Sequence, residues 1–189
     1  MHRRPLLAML ADYAARQPDE LAMIERIRSL VESHDDCFDR TCRPGHVTAS
    51  AWVLSSDRRR CLLLHHKKLG RWLQPGGHAD GDADVTRVAL REATEESGLA
   101  QLSVLTTSVF DVDVHPIPER RNAAGELVDT AHDHHDVRFL LGAEGPDDLV
   151  LSDESHALGW FTPAEVRAQT DEASVLRLLD KAAPWIASE

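Results

Sequence analysis

The chain has 189 residues, 42% of them apolar, which suits one globular domain with a short extension rather than a disordered segment. Lys plus Arg is 21 against 32 for Asp plus Glu, a formal charge of -11. Such an acidic surface repels phosphate backbones and argues against a nucleic-acid polymer as partner. No apolar run approaches the ~20 residues of a membrane helix. The early apolar stretch, residues 6–11, stops at Asp12. It is shorter than a signal core of about 7–15 residues, so the expected location is the cytoplasm, with no membrane partner. Three cysteines, Cys37, Cys42 and Cys61, do not make a disulfide framework and are expected to be reduced thiols.

In chain order, Leu6, Met9, Leu10 and Tyr13 follow helical spacing, as do Leu21, Ile24, Ile27 and Val31 after Pro18. Residues 5–33 therefore predict a helical pair, whose apolar stripes either cover one side of a sheet or form a homodimer contact. Residues 34–46 predict a polar loop ending near Pro44-Gly45. Strands are expected at 47–55 and 61–66, around a turn at 57–60. The stretch GRWLQPGGHADGD has four glycines and a proline in thirteen residues. It predicts an ordered loop, because Trp72 and Leu73 need burial. A helix follows, with Val85, Val88, Ala89 and Leu90 along it and Gly98 as its C-terminal cap. Further strands are expected at about 103–114, 134–142 and 158–161, with a polar loop between the first two. A short helix opening at Pro163 and a last helix at 173–186 complete the pattern.

The helix before Gly98 reads REATEESGL. Glu92, Glu95 and Glu96 have i, i+3, i+4 spacing and share one face. Like charges packed this way repel, and burial raises the cost unless a cation sits between them. Mg2+ or Mn2+ is the natural partner, since both take carboxylate oxygens and share phosphate oxygens with a substrate. A solvated helix face would be the ordinary reading of such a run. The glycine loop ahead of it and the adjoining Arg91 weigh the other way: glycine lets backbone approach a metal or phosphate, and arginine holds a carboxylate in a fixed orientation.

The stretch GGHADGDADVTRVALREATEESGL (residues 76–99) resembles the Nudix box of the Nudix hydrolases. That signature is a glycine, five residues, a glutamate, seven residues, then Arg-Glu-apolar-x-Glu-Glu-x-Gly-apolar. With its glycine at Gly77, the Arg-Glu falls on Arg91-Glu92, the Glu-Glu on Glu95-Glu96, and the end on Gly98-Leu99. Ala83 stands where the first glutamate belongs, flanked by Asp82 and Asp84 with Asp80 nearby. The resemblance implies an α/β fold of the α+β kind, a Nudix-type α/β/α sandwich with a mixed sheet. It divides the chain into an N-terminal helical extension and loop (residues 1–46) and a Nudix hydrolase domain (residues 47–189).

The implied activity is a metal-dependent hydrolase cleaving a diphosphate (pyrophosphate) linkage in a nucleoside diphosphate linked to another moiety, by attack of water at phosphorus. Glu92, Glu95 and Glu96 would hold Mg2+ or Mn2+, with the Gly77 carbonyl as a further ligand, and Arg91 would orient the glutamates. Glu92 or Glu95 serves as general base, or Glu154 on the later loop SDESH. The partner expected is a small phosphate-containing substrate, a nucleotide derivative. A non-catalytic nucleotide-binding module of the same fold is a second reading, against which Glu95 and Glu96 both stand. A diphosphate isomerase is a third; it would need a catalytic cysteine, and Cys61 lies in an expected buried strand.

Two further stretches are unusual. DVDVH (111–115) puts Asp111, Asp113 and His115 on one strand face, and HDHHDVR (132–138) does the same for His132, His134, Asp136 and Arg138. A solvent-facing polar side of a sheet produces this alternation too. The alternative is that paired strands bring the faces together to line the substrate cleft, with His115, His132, His134 and Asp136 as contacts, or that imidazole and carboxylate together bind a transition metal. Lys67, Lys68, Arg71, Arg120 and Arg121 are phosphate-contact candidates, though exposed basic residues are usually solubilising. Cys37, Cys42 and His46 form C-x4-C-x3-H, wider than standard zinc pairs, so ordinary loop cysteines are the better reading.

Overall fold

In the computed structural model, residues 2–153 and 155–187 are described. Two helices come first: α1 (Arg4–Arg16) and α2 (Leu21–Ser33), joined by a short 3-10 turn at Pro18–Glu20. Leu6, Leu10 and Tyr13 of α1 are buried, as are Ile24, Ile27, Leu30 and Val31 of α2. Each such burial is worth roughly 1.5–3 kcal/mol, enough to hold in place helices of a length that is marginal in isolation.

The chain then enters β1 (Gly45–Leu54) and β2 (Cys61–His66), two short strands β3 (Arg71–Leu73) and β4 (Gly76–His78), and α3 (Val85–Ser97). After these come β5 (Leu102–Val104), β6 (Asp111–Ile117), the hairpin β7 (Arg120–Arg121) and β8 (Leu127–Asp129), and β9 (His132–Ala143). The last elements are β10 (Ser155–Phe161), α4 (Pro163–Gln169) and α5 (Ala173–Ala182).

Among the described residues, eight strands make one mixed sheet. Its spine runs β10-β2-β1-β9-β5, and β3, β4 and β6 pair with β2, β1 and β9 respectively. β1 and β9 are parallel, with Ala49 beside Val137 and Trp52 beside Leu140; the other pairs are antiparallel. All ten residues of β1 are buried, as a strand covered on both faces must be.

On one face, Val47, Ala49, Ala51 and Val53 join Val112, Val114, Val137, Phe139 and Leu141 in a core with α1, α2 and α3. On the other, Trp52, Leu54, Cys61, Leu63 and Leu140 pack against Val166 of α4 and Val175, Leu178 and Leu179 of α5. The result is the α/β/α sandwich expected, with α1 and α2 sharing the core of the sheet. No helix of the described residues is long and apolar enough to cross a membrane.

Three departures from the expected elements have local causes. The single strand expected at 103–114 is two, β5 and β6, lying in tandem along the long β9. Between them Thr106 Oγ1 donates to the Ser108 carbonyl at 3.0 Å, a side-chain turn that interrupts the extended chain. The glycine-rich loop contains β3 and β4. The polar loop contains β7 and β8, turned by Asn122, whose side-chain oxygen accepts from the Ala124 and Glu126 amides.

Candidate active site

Helix α3 begins at Asp84, whose side chain accepts the Arg87 amide at 3.1 Å. It ends at Gly98, which takes the left-handed conformation (φ 73°) while its amide closes on the Thr94 carbonyl at 2.8 Å. These two ends set the helix in phase, with Val85, Val88, Ala89 and Ala93 in the core. That phase turns the Glu92–Glu96 edge toward β4.

β4 is held against β1 with Gly77 beside Ala49 and Gly76 beside Ser50. Glu96 is buried, and its Oε2 accepts the Gly76 amide at 2.8 Å. The Glu92 carboxylate lies over Gly77 so closely that a Cβ on that glycine would stand 2.4 Å from Oε2. Only glycine admits the approach. Arg91 spans the two elements: one terminal nitrogen donates to the His78 carbonyl at 2.9 Å and to Glu92 Oε1 at 2.7 Å. The hydrogen bond it donates to Glu92 holds the Arg91 guanidinium above its ordinary pKa. Glu95, between these two, is exposed.

The acids around Ala83 each have a partner of their own. Asp80 is bonded to Arg40 at 2.6 Å, Asp82 to Arg87 at 2.7 Å, and Asp84 is the helix cap. Ala83 itself packs against the core.

Sheet pairing brings the polar strand faces together as one surface, buried at Asp111, Asp136 and Arg138 and partly exposed at Asp113, His115 and His134. Along parallel β1 and β9, His46 lies beside His134, Thr48 beside Asp136 and Ser50 beside Arg138. Asp113 and His115 of β6 lie beside Asp136 and His134. Asp136 accepts from Thr48 Oγ1 (3.1 Å), Ser50 Oγ (2.7 Å) and Arg138 Nε (2.8 Å) and is 4% exposed. Its carboxylate is committed to these bonds inside the protein.

Arg138 reaches Asp111 at 3.1 Å and Asp113 at 3.2 Å. Arg177 of α5 bonds both aspartates at 2.9 Å, and Lys181 bonds Asp111 at 2.6 Å. Lys181 also pairs with Glu20 and donates to Tyr13 Oη at 2.7 Å, tying α5 to α1 and the turn before α2.

The histidines occupy the other end of this surface. His46, His78, His132, His134 and His115 form a chain of rings with centroids 4.8–5.5 Å apart. His46 is pushed down to about 4, first by burial and then by His78 and His132. Burial, then neighbouring histidines, lowers His134 as well. His115 bonds Asp113 at 3.1 Å. Sequence assigns no role to His78 and groups His46 with Cys37 and Cys42. The available signal was phase: His46, Thr48 and Ser50 alternate along β1 with an apolar set.

Arg71 lies in a cleft between β3 and the α4–α5 connection and is paired with Glu172 at 2.8 Å. Lys67 donates to the Asp153 carbonyl and Arg121 to Glu119. Glu154 lies outside the described residues. Cys42 is grouped with His34 and Asp36, and His46 with two other histidines, so Cys37, Cys42 and His46 do not converge.

The family model described as NUDIX domain matches residues 44–180. The chain belongs to the NUDIX domain family. Its class of reaction is therefore that of a Nudix-type pyrophosphohydrolase.

Solved structures share the fold. A Caenorhabditis elegans Ap4A hydrolase in a binary complex is 22% identical, with TM-score 0.53, over 74% of this chain and 96% of that one. The Mycobacterium smegmatis Nudix hydrolase RenU is 20% identical, with TM-score 0.53, over 74% and 85%. The NUDIX domain of Shewanella oneidensis NrtR, crystallised with ADP ribose, is 16% identical, with TM-score 0.50, over 85% and 98%. Among curated proteins, none matches the chain in sequence.

Proposed function

We propose that this Nudix protein hydrolyses the diphosphate linkage of a nucleoside diphosphate derivative, with Mg2+ or Mn2+ held on the Glu92–Glu96 edge of α3. The observation that carries this reading is the closeness of the Glu92 carboxylate to Gly77, 2.4 Å from where a Cβ would be. It puts a glycine backbone directly beside one carboxylate on the helix edge that also carries Glu95 and Glu96. All donors there are hard oxygens, which fits a hard divalent cation better than a soft one.

When bound, such a cation neutralises the phosphate oxygens and lowers the pKa of water. Glu92, Glu95 and Glu96 and the Gly77 carbonyl would hold it. Arg91 keeps Glu92 in place by bonding it and the strand beneath it. Glu96 fixes β4 through the Gly76 amide. Glu92 or Glu95 would take a proton from water at the edge of the site, and Glu154 is kept as the alternative base on sequence grounds.

The diphosphate class rests on the family, and the nucleotide on structural relatives: the name of one refers to Ap4A, and another was crystallised with ADP ribose. The buried thiols and acidic charge fit a cytoplasmic setting. We keep residues 1–46 as an extension to a hydrolase domain at 47–189, and the substrate, rather than a nucleic-acid polymer or membrane, as the partner.

The test is a panel of nucleoside triphosphates, nucleotide sugars, dinucleotides and ADP-ribose, each with Mg2+ or Mn2+ and with products identified. Turnover of one class that is lost in Glu95→Gln, Glu96→Gln protein supports the reading. Tight binding of a nucleotide without turnover would replace it with that of a regulatory module.

A further inference from the structure

The histidine cluster is not used by the reaction above, and part of it has the form of a ligand set. His46 of β1 lies beside His134 of β9, and His78 of β4 lies beside Thr48, two residues along the same strand. One ring nitrogen from each of His46, His78 and His134 lies within 4.8 Å of the other two. We propose that these three imidazoles form a transition-metal site, for Zn2+ or a cation of similar softness, separate from the carboxylate edge of α3.

The strongest independent sign is His46 itself. It is 1% exposed, and neither ring nitrogen has a hydrogen-bond partner among the described residues. A buried polar group left unpaired costs on the order of 1–3 kcal/mol, so native interiors rarely keep one without a reason. A metal ion coordinated by one nitrogen removes that cost in part. The other nitrogen remains as a donor.

Histidine packing alone is a poorer account. Neutral rings brought this close gain little from stacking, whereas Asp136 on the same face has partners for both carboxylate oxygens.

The chemistry of the set selects the ion. Three imidazoles without a carboxylate suit Zn2+, Cu2+, Ni2+ or Fe2+ and not Mg2+. Zinc–nitrogen bonds of about 2.0–2.1 Å put tetrahedral ligands roughly 3.3 Å apart, so modest ring rotation closes the set. Burial favours the neutral imidazoles that metals need. His132 stands ready beside it, its ring 4.9 Å from that of His46. Its Nδ1 lies 2.7 Å from the Thr130 carbonyl, an outer bond of the kind that orients a ligating ring. His132 or water would complete the coordination.

β4 joins the two sites. The imidazole of His78 belongs to the histidine set, whereas its carbonyl accepts from Arg91 and the two preceding glycines underlie Glu92 and Glu96. An ion gripped by His78 therefore anchors the strand on which the carboxylate edge depends.

The full chain, with any purification tag removed and stripped by a chelator, is titrated with Co2+ and then Zn2+. We expect one equivalent of Co2+ with visible absorption bands, displaced by Zn2+, and a Zn2+-dependent rise in Tm. Both signals persist in Glu95→Gln, Glu96→Gln protein, which separates this site from the hydrolytic one. Both fall at least 100-fold in apparent affinity in His46→Gln and in His78→Asn. The His78 variant, at a half-buried position, decides the matter if the His46 variant does not fold. Absence of Co2+ and Zn2+ uptake in the glutamate variant, or bands unchanged in a folded His78→Asn protein, would overturn the proposal.

Discussion

Glu96 Oε2 accepts the amide of Gly76 at 2.8 Å, so a buried carboxylate of α3 holds the end of the strand that passes beneath Glu92. The helix edge and β4 thus form one unit. Disturbing either should disturb cation binding before it disturbs the fold.

Gly77→Ala tests that unit directly. Its methyl would meet the end of a flexible glutamate and not backbone, so the protein should fold with nearly unchanged Tm. The displaced Glu92 should raise the Mg2+ or Mn2+ concentration needed for half-maximal rate by roughly 10–100-fold. Rate measured against metal concentration reads this, and an unshifted curve would separate Glu92 from the cation.

Glu95→Gln removes an exposed charge that makes no part of the core. Urea unfolding should move by less than about 0.5 kcal/mol. Turnover of the substrate found in the panel should fall by on the order of 100-fold or more. Equal turnover in the variant would leave Glu92 and Glu96 without their third partner.

Asp111→Asn should act in the opposite way, on stability and not on chemistry. Its carboxylate is fully buried and faces Arg138, Arg177 and Lys181. Removing one partner from a buried ion network costs about 3–5 kcal/mol, because the remaining charges stay desolvated. Chemical denaturation measures the loss. Hydrogen exchange should rise first in α1 and α5, which Lys181 links through Tyr13 and Glu20.

Asp113 sets an acid limit. Burial alone would raise its pKa, but the His115 hydrogen bond and the charges of Arg138 and Arg177 outweigh burial and hold it well below the carboxylate range. Asp136 faces it across the strand pair. A carboxylate depressed in the folded state contributes stability that is present above its unfolded pKa of about 3.9. That stability is lost as pH falls below this value toward the folded pKa. Asp113→Asn should therefore flatten the dependence of unfolding free energy on pH below about 4. A slope unchanged from the parent would remove Asp113 from the acid response.

The thiols distinguish hydrolysis from isomerisation by a cysteine. Burial pushes Cys61 and Cys42 up to about 12 and Cys37 up to about 11. Near neutral pH they should resist a disulfide reagent in the native protein and react fully in denaturant. Cys61→Ser should turn over the diphosphate at the parent rate. Rapid native labelling with loss of activity would restore a catalytic thiol.

The carboxylate edge was legible because it is local. Spacing of i, i+3 and i+4 puts Glu92, Glu95 and Glu96 on one side of any helix, and Gly98 ends that helix wherever it is packed. The same holds for the alternation of β6 and β9, which assigns each side chain to a face whatever lies opposite. Alternation does not say what covers that face. Here the cover is α5, and Arg177 and Lys181 convert a surface that reads as exposed into a buried ion network.

Three-residue strands such as β3 and β4 have too little local preference to be read from GRWLQPGGH; their backbone pairing with β2 and β1 creates them. The sequence by itself determined the helix edge, its phase and its chemical hardness, because contacts within one helical turn suffice for these. The tertiary structure alone decided that Gly77 lies under Glu92, that Asp136 is sealed inside, and that His46, His78 and His134 meet. Each of those depends on register between strands far apart in the chain, which hydrogen bonding and core packing set together only on folding.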